Sequence, residues 1–329
     1  MAFDIIAIGD TVIDDFIRLS DSSHGKVDEE KNLLCIPFRN KVPFEFSKLV
    51  SAVGNSPNAA VSGARLGLKT AIITNVGHDS NGKLCIDTFR KELVSTNFVR
   101  QHDGKKTNYH YVLWLENDRT ILIKHEEFPY ELPLFEPPKW LYLSSLGEHS
   151  LSFHKKIADY CTENPRVKLA FQPGTYQMKF GHESLRHIYE RSDFFICNIE
   201  EAQLILNTSE NDKKKLLSAM RELGPKIVVL TDGPLGAYLS YADENWFIPL
   251  YPDHREAYER TGAGDAFAST FVSALALGKS PLEAFTWAPV NSMSVVQKIG
   301  AQEGLLSRAK LEELLKKAVA EEEWRPQKI

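Results

Sequence analysis

The chain is poor in features that would commit it to a disulfide, membrane or nucleic-acid class. Its four cysteines, Cys35, Cys85, Cys161 and Cys197, are scattered through 329 residues without a C-x-x-C pair. That spacing excludes a disulfide framework or a cysteine zinc site and reads as reduced thiols in a cytoplasmic protein. No apolar run reaches the roughly 18 residues of a membrane helix. The N-terminus MAFDIIAIGD has an acid where a signal peptide would be basic, so neither secretion nor a membrane span is expected. No Lys/Arg run of binding size occurs and the formal net charge is −5, which argues against a nucleic-acid surface. H-E-x-x-H and G-x-S-x-G are absent, removing motif support for a zincin or a serine hydrolase. There is no internal repeat, low-complexity tract or interdomain linker. With 43% hydrophobic and 25% charged residues, the remainder is an ordinary globular chain with room for one large α/β domain or two smaller ones.

Buried strands punctuate the sequence. Phe3–Gly9 is an apolar run broken only by Asp4, as expected of a strand covered on both faces of a parallel sheet, and Asp10 and Asp14 follow at its C-terminal end, where such sheets place ligands. Similar runs occupy Leu68–Val76, Lys139–Ser144, Val167–Phe171, Phe194–Cys197 and Ile227–Leu230. Alternating segments at Leu33–Phe38 and Lys41–Phe46, and a hairpin from Asn108 to Ile123 turning at Glu116–Arg119, form separate β insertions. Ser56-Pro57 predicts a helix start and Gly67 its stop, while Ser280-Pro281-Leu282-Glu283 is a capping box. Pro289 predicts a kink or break in the helix that follows. A terminal helix carries Leu311, Leu314, Leu315 and Ala318 on one face.

The most informative stretch is Arg260-Thr261-Gly262-Ala263-Gly264-Asp265-Ala266-Phe267. Apolar residues then recur at helical spacing, placing Asp265 in a first helical turn. Free N–H groups and the positive end of the helix dipole attract an anion there, and Gly262 and Gly264 let it approach the backbone. A carboxylate beside a merely bound phosphate is repelled. It makes sense as the base for a hydroxyl that attacks that phosphate. A glycine turn with an aspartate cap gives the same letters, so the stretch alone leaves both readings open. Gly278-Lys279-Ser280 imitates a P-loop end but has Ser273 in place of the earlier glycine, and Gly262-x-Gly264 has Phe267 at the third position of a dinucleotide fingerprint.

TGAGDAF in the last third of the chain resembles the C-terminal signature of the PfkB/ribokinase family of sugar and nucleoside kinases, and other segments resemble its motifs in the family's order. The resemblance implies a three-layer α/β/α sandwich with a mostly parallel central sheet and a small β lid: one domain, 1–329, with lid insertions at about 16–53 and 106–126. It implies that Asp14 binds substrate hydroxyls and that the Gly54–Asn58 turn, with Gly54, Asn55 and Asn58, contributes to the substrate site. Val53 stands where relatives carry a second glycine, and Gln172-Pro173-Gly174 where they often carry Asp-Pro-Asn. Asn198 and Glu201 match a motif that organises Mg²⁺. Thr231, Gly233 and Gly236 match an element lying against ATP, and Asn291 falls by the adenine ring in relatives. Asp265 would be the base, with the N–H groups of Gly262, Ala263 and Gly264 stabilising the transferred group.

The implied reaction is ATP-dependent transfer of the γ-phosphoryl group to a hydroxyl of a sugar or sugar derivative. A nucleoside is the alternative substrate, with Phe38, Phe46, Tyr109 or Trp114 as a stacking wall. A kinase-like binding protein without chemistry is the other alternative. Many relatives hold a monovalent cation such as K⁺ through an aspartate at the position of Glu259, and the longer side chain leaves that open here. The apolar residues Leu33, Leu34, Ile36 and Phe38 are candidates for a homodimer contact through the lid or for the substrate wall.

Overall fold

The computed structural model describes residues 2–20, 25–28, 30–31, 33–115, 118–253, 255–322 and 324–329. Strand β1 (Ile5–Ile8) enters the core, after which β2 (Val12–Leu19), β3 (Lys26–Asp28), β4 (Leu33–Cys35) and β5 (Phe44–Val53) lie outside the main sheet. The chain returns through α1 (Asn55–Arg65), β6 (Thr70–Gly77), α2 (Ser80–Lys91) and β7 (Ser95–His102), then leaves again as β8 (Asn108–Leu115) and β9 (Asp118–Lys124). Next come β10 (Trp140–Leu143), α3 (Leu151–Glu163), β11 (Lys168–Phe171), α4 (Thr175–Ser184), α5 (Arg186–Arg191), β12 (Phe194–Asn198), α6 (Ile199–Leu206) and α7 (Lys213–Glu222). The last third holds β13 (Ile227–Thr231), β14 (Ala237–Tyr241), β15 (Glu244–Ile248), α8 (Ala263–Ala276), α9 (Pro281–Val295), α10 (Arg308–Glu322) and β16 (Gln327–Lys328).

The main sheet has ten strands in the order β16-β15-β14-β13-β12-β11-β10-β1-β6-β7. From β13 to β7 every neighbour is parallel, and β14, β15 and β16 extend that edge antiparallel. Both faces are covered, which is why the central strands read as unbroken apolar runs. Ile5 and Ala7 pack on one face with α1, α2, α8 and α9, while Ile6 and Ile8 pack on the other with α3, α5, α6 and α7. Chain order reverses between β1 and β10, and the crevice beyond the carboxyl ends of those two strands is where such a sheet takes a ligand.

A four-stranded sheet, β5-β2-β8-β9, forms the lid over that crevice. Its first strand begins at Val12, earlier than the expected insertion at 16, so Asp14 sits on the lid itself. Asp14 is opposite His110 on one side and Val50 on the other, and the shared face carries Phe16, Val50 and Trp114. A Cβ on Gly300 would stand 3.2 Å from Val50 and 3.6 Å from Phe16, which fixes this face against the 300–303 segment beside α8. Lys48 pairs with Glu303 across the same junction. The outward face exposes Leu49, Tyr111 and Leu122. The apolar residues expected at a dimer contact lie elsewhere: Leu33 and Leu34 belong to the separate β3–β4 pair, and Ile36 and Phe38 to the connection after it. The expected hairpin turn includes Glu116 and Asn117, which are outside the described residues.

Helix starts and stops follow the local chemistry. α1 begins at Asn55, one residue before the expected Ser56, because Gly54 supplies the N-cap at φ +119°. Ser280 and Glu283 cap α9 reciprocally. Pro289 does not split α9, which is continuous from Pro281 to Val295. The flanking residues Trp287, Ala288, Val290 and Asn291 are all buried, so tertiary packing holds the helix through the missing N–H. All four cysteines are free and only Cys35 is exposed. Burial pushes the Cys85 and Cys161 thiols up to about 12, consistent with inert core residues.

His154 on α3 links packing to pH. It is 1% exposed, its Nδ1 donates to the Ser150 carbonyl at 2.8 Å, and its Nε2 is buried without a partner. Burial pulls this imidazole from 6.5 down to about 4. The unfolded chain therefore takes up a proton in a window where the folded chain does not. Stability is full above about pH 6.5 and is lost as pH falls towards 4. Between pH 7 and 4.5 this group should cost the wild type about 2.5 kcal/mol that His154→Leu does not lose. Denaturant melts of both proteins at the two pH values measure this, and equal losses would remove the assignment.

Candidate active site

Asp265 lies in the first turn of α8, as the glycine pattern requires. Gly262 caps that helix at φ +82°, a left-handed conformation, and a Cβ there would come within 2.3 Å of the Ala301 Cβ. The first bond of i to i−4 type runs from the Ala266 N–H to the Gly262 carbonyl at 2.8 Å. The N–H groups of Ala263 and Gly264 come ahead of it, at the helix mouth, where Ala263 makes a long turn bond of 3.4 Å to the Arg260 carbonyl. Nothing lies within 4 Å of a Cβ built on Gly264, so this side of the turn is open.

Three side-chain amides hold the Asp265 carboxylate. Oδ1 accepts from Asn55 Nδ2 and Gln172 Nε2, each at 2.9 Å, and Oδ2 accepts from Asn58 Nδ2 at 2.7 Å. Two of the amides are themselves anchored: Gln302 Nε2 donates to Asn58 Oδ1 at 2.9 Å and to the Ala52 carbonyl at 2.7 Å, and the Tyr142 hydroxyl donates to Gln172 Oε1. Asn55 and Asn58, expected at the substrate, are therefore brought together with Gln172 around Asp265. Burial raises the Asp265 carboxyl above the ordinary 3.8, the Asn58, Gln172 and Asn55 bonds pull it down, and the Asp14 charge adds to the rise. A carboxylate offers about four acceptor positions. Three are filled, and the remaining one belongs to Oδ2.

Glu259, 2% exposed, braces the loop before Asp265. Its Oε1 accepts from the Thr261 N–H at 2.7 Å and the Thr261 hydroxyl at 2.6 Å, and its Oε2 accepts from the Gly300 N–H at 3.2 Å. Three donors thus occupy this carboxylate, two on Oε1 and one on Oε2, which gives Glu259 a bracing role in the loop that leads to Asp265.

At the neighbouring strand ends, Asn198 and Glu201 make a capping box: Glu201 Oε2 accepts from the Asn198 N–H at 2.9 Å, and Asn198 Oδ1 accepts from the Glu201 N–H at 2.8 Å. Asn198 is occupied as a helix cap, while Oε1 of Glu201 takes no part in the box. Burial raises the Glu201 carboxyl, with Asp265 and Glu200 adding to the rise. Among the described residues no group of three or more His, Cys, Asp or Glu could hold a metal ion. Glu201 nonetheless suits Mg²⁺, which takes one or two carboxylates and fills its remaining positions with water and phosphate oxygens.

Thr231 ends β13 beside Asn198, and Gly233 and Gly236 shape the exposed turn into β14. Gly236, at φ +105°, leaves room for the Ile248 carbonyl. Asn291 is different. It is fully buried, its Nδ2 donates to Thr270 Oγ1 at 2.8 Å and its Oδ1 accepts from the Leu306 N–H at 2.9 Å. The expected contact of Asn291 with a nucleotide ring is not available to this fully buried side chain, which instead ties α8, α9 and the chain before α10 together.

Gln172 was visible in the sequence only as a departure from Asp-Pro-Asn. Its position directly after β11 was the signal that pointed to the ligand end of the sheet. The partners of Asp10 and Asp14, namely Tyr130, His125 and His110, were not foreseen. Tyr130 donates to Asp10 at 2.9 Å, and His110 Nδ1 lies 3.0 Å from Asp14 Oδ1.

A sequence profile described as pfkB family carbohydrate kinase matches residues 5–308. The chain is 26% identical over 252 residues to an uncharacterized sugar kinase of Archaeoglobus fulgidus, covering 74% of this chain and 97% of that protein. It is 24% identical over 335 residues to the 5-dehydro-2-deoxygluconokinase of Bacillus subtilis, covering 95% and 96%. Arabidopsis thaliana ribokinase, solved with ribose and ATP, superposes with a TM-score of 0.79 at 19% identity over 96% of this chain and 99% of its own. Methanocaldococcus jannaschii nucleoside kinase gives 0.77 at 17% identity, over 96% and 100%. The architecture is the ribokinase-like α/β fold.

Proposed function

The chain belongs to the pfkB family of carbohydrate kinases, an ATP-dependent phosphotransferase with an alcohol acceptor, and we propose that it phosphorylates a sugar or sugar derivative with Asp265 as the general base. The observation that carries this reading is the Asp265 carboxylate, held by three amides with one acceptor position left on Oδ2. The substrate hydroxyl donates there. As its oxygen forms a bond to the γ-phosphorus, the bond from that phosphorus to the bridging oxygen breaks, the hydroxyl proton passes to Asp265, and ADP leaves. The N–H groups of Ala263 and Gly264 meet the charge on the transferring group, and Gly262 sets the turn that presents them. Thr231, Gly233 and Gly236 are assigned to the nucleotide side, and Asp14 to the substrate side. Glu201, with Asn198 fixing its helix, would hold Mg²⁺, which neutralises phosphate charge when bound.

The lid favours a sugar over a nucleoside. Trp114 is buried, with the Arg18 guanidinium 4.4 Å from its ring centre and the edges of Phe46 and Tyr258 against it. Tyr109 is on the outward face, bonded to Asp15 at 3.1 Å, and Phe38 is 86% exposed beyond the sheet. Trp114 and Phe46 pack against one another, Tyr109 is tied to Asp15, and Phe38 lies outside the lid sheet, so the four rings do not form one stacking wall.

ADP formation from Mg·ATP across pentoses, hexoses, sugar phosphates, sugar acids and nucleosides tests the reading. Turnover of a sugar is expected, with rates in KCl and NaCl agreeing within about twofold because the Glu259 carboxylate is engaged by three donors. Turnover confined to nucleosides would overturn the substrate class, and strong K⁺ activation would overturn the account of Glu259.

A further inference from the structure

Beyond Asp14, the far wall of the crevice carries a continuous row of polar groups from both lid and sheet. His110 Nδ1 is 3.0 Å from Asp14 Oδ1, His110 Nε2 is 2.9 Å from His125 Nε2, and His125 Nδ1 is 3.8 Å from Asp10 Oδ2. The two imidazoles lie nearly parallel, 5.1 Å apart. The row ends where the Tyr130 hydroxyl, pushed far up by burial and by the Asp10 charge, donates to Asp10 and accepts from the Gly147 N–H at 2.8 Å. Asp10 and Asp14 are 6% and 8% exposed, and among the described residues their basic neighbours within ion-pair range are these two histidines, with no Lys or Arg.

Proton accounting fixes how this row meets a ligand. A carboxylate only accepts, so the proton between His110 and Asp14 is on His110 Nδ1. Neutral His110 then presents a lone pair at Nε2, and the bond to His125 requires the proton on His125 Nε2. Neutral His125 is left with a bare Nδ1. That atom is buried, has no hydrogen-bond partner, and faces the Asp10 carboxylate, which is another acceptor. Two acceptors aimed at one region need donors between them.

We propose that His125 Nδ1, together with Asp10 and Asp14, reads successive hydroxyl groups of an uncharged polyol, so that His125 is a specificity-determining residue and a phosphate or carboxylate on that part of the substrate is rejected. The inference rests on the kinase reading above and narrows its substrate class. Hydroxyls donate to all three acceptors, whereas a phosphate or carboxylate brings only acceptors and negative charge against two aspartates. A site built to bond a hydroxyl also discriminates strongly against the analogue that lacks it, because its buried acceptor is left unpaired.

The test uses the full chain with matched substrates: a neutral sugar, its terminal phosphate, the corresponding sugar acid and its single-deoxy analogues, with kcat and KM measured separately. The neutral sugar should exceed its phosphate and its acid by about 100-fold or more in kcat/KM. His125→Phe keeps a flat ring without the acceptor. It should lose about 10- to 100-fold on the neutral sugar, mainly through KM, and lose little on the one deoxy analogue that lacks the hydroxyl read by His125. His125→Asn, which restores an acceptor oxygen, should recover part of the loss. A preference for the phosphate or acid overturns the proposal while leaving the kinase reading intact. So does an equal loss by His125→Phe on every substrate. Silence on all compounds removes the kinase reading and this inference with it.

Discussion

Asp265→Asn is expected to lower turnover by about 10²- to 10⁴-fold while ATP binding, followed by calorimetry, changes little. The replacement is nearly isosteric, so the helix mouth keeps its shape, but an amide cannot take the proton of the attacking hydroxyl. It also brings its own N–H₂ towards Asn55, Asn58 and Gln172, which already donate to this side chain. Gln172→Leu separates orientation from base strength. That variant keeps the carboxylate and removes a bond that pulls its pKa down. Activity needs the ionised form, so the acid limb of the wild-type profile should lie above the ordinary aspartate value, with the rate lost as pH falls through it. In Gln172→Leu that limb should move to still higher pH, and the plateau should fall modestly as the carboxylate gains freedom. An acid limb that stays in place, or near-normal turnover of Asp265→Asn, would mean that another group takes the proton.

How much of this was readable from the letters depends on the range of the contact. The parallel sheet was legible because strands covered on both faces must be apolar throughout, and Ile5–Ile8 and Phe194–Cys197 are. The α8 start was legible because helix capping is local: Gly262 and Asp265 are three residues apart. The Asp265 cradle was not. Asn55 and Asn58 precede Asp265 by about 210 residues and Gln172 by 93. Nothing in the sequence says whether an amide near a helix start donates to a substrate or to another side chain. Asn291 shows the opposite limit: its family position pointed to the nucleotide, while burial between α8 and α9 consumed both ends of its amide. Pro289 was read by a local rule that the surrounding packing overrode. The Asp14–His110 contact depends on the register of β8 against β2, and the His110–His125 contact on that of β8 against β9, neither of which periodicity fixes.

The two glycines around Ala263 should fail in different ways. Gly262→Ala places a Cβ at φ +82° and within 2.3 Å of the Ala301 Cβ and 2.5 Å of its Cα. Left-handed strain and the collision together should cost about 3 kcal/mol of stability. Because the turn that aims the N–H groups must shift, turnover should also fall by about 10²-fold or more. Ala301→Gly in the same chain removes the Cβ but leaves the Cα, so it should restore part of the stability and little of the turnover. Gly264→Ala has the reverse signature. Its surroundings are open, and alanine is the better helix former by about 0.5–1 kcal/mol, so the melting temperature should hold or rise. Its new methyl group nonetheless stands at the mouth of α8, where the proposed reaction brings the transferring phosphoryl group to the backbone, and turnover should drop with stability intact. Thermal melts and kcat on the three variants resolve this. If Gly264→Ala kept full activity, the phosphoryl group would not pass over this turn, and the open mouth of α8 would be only a helix start.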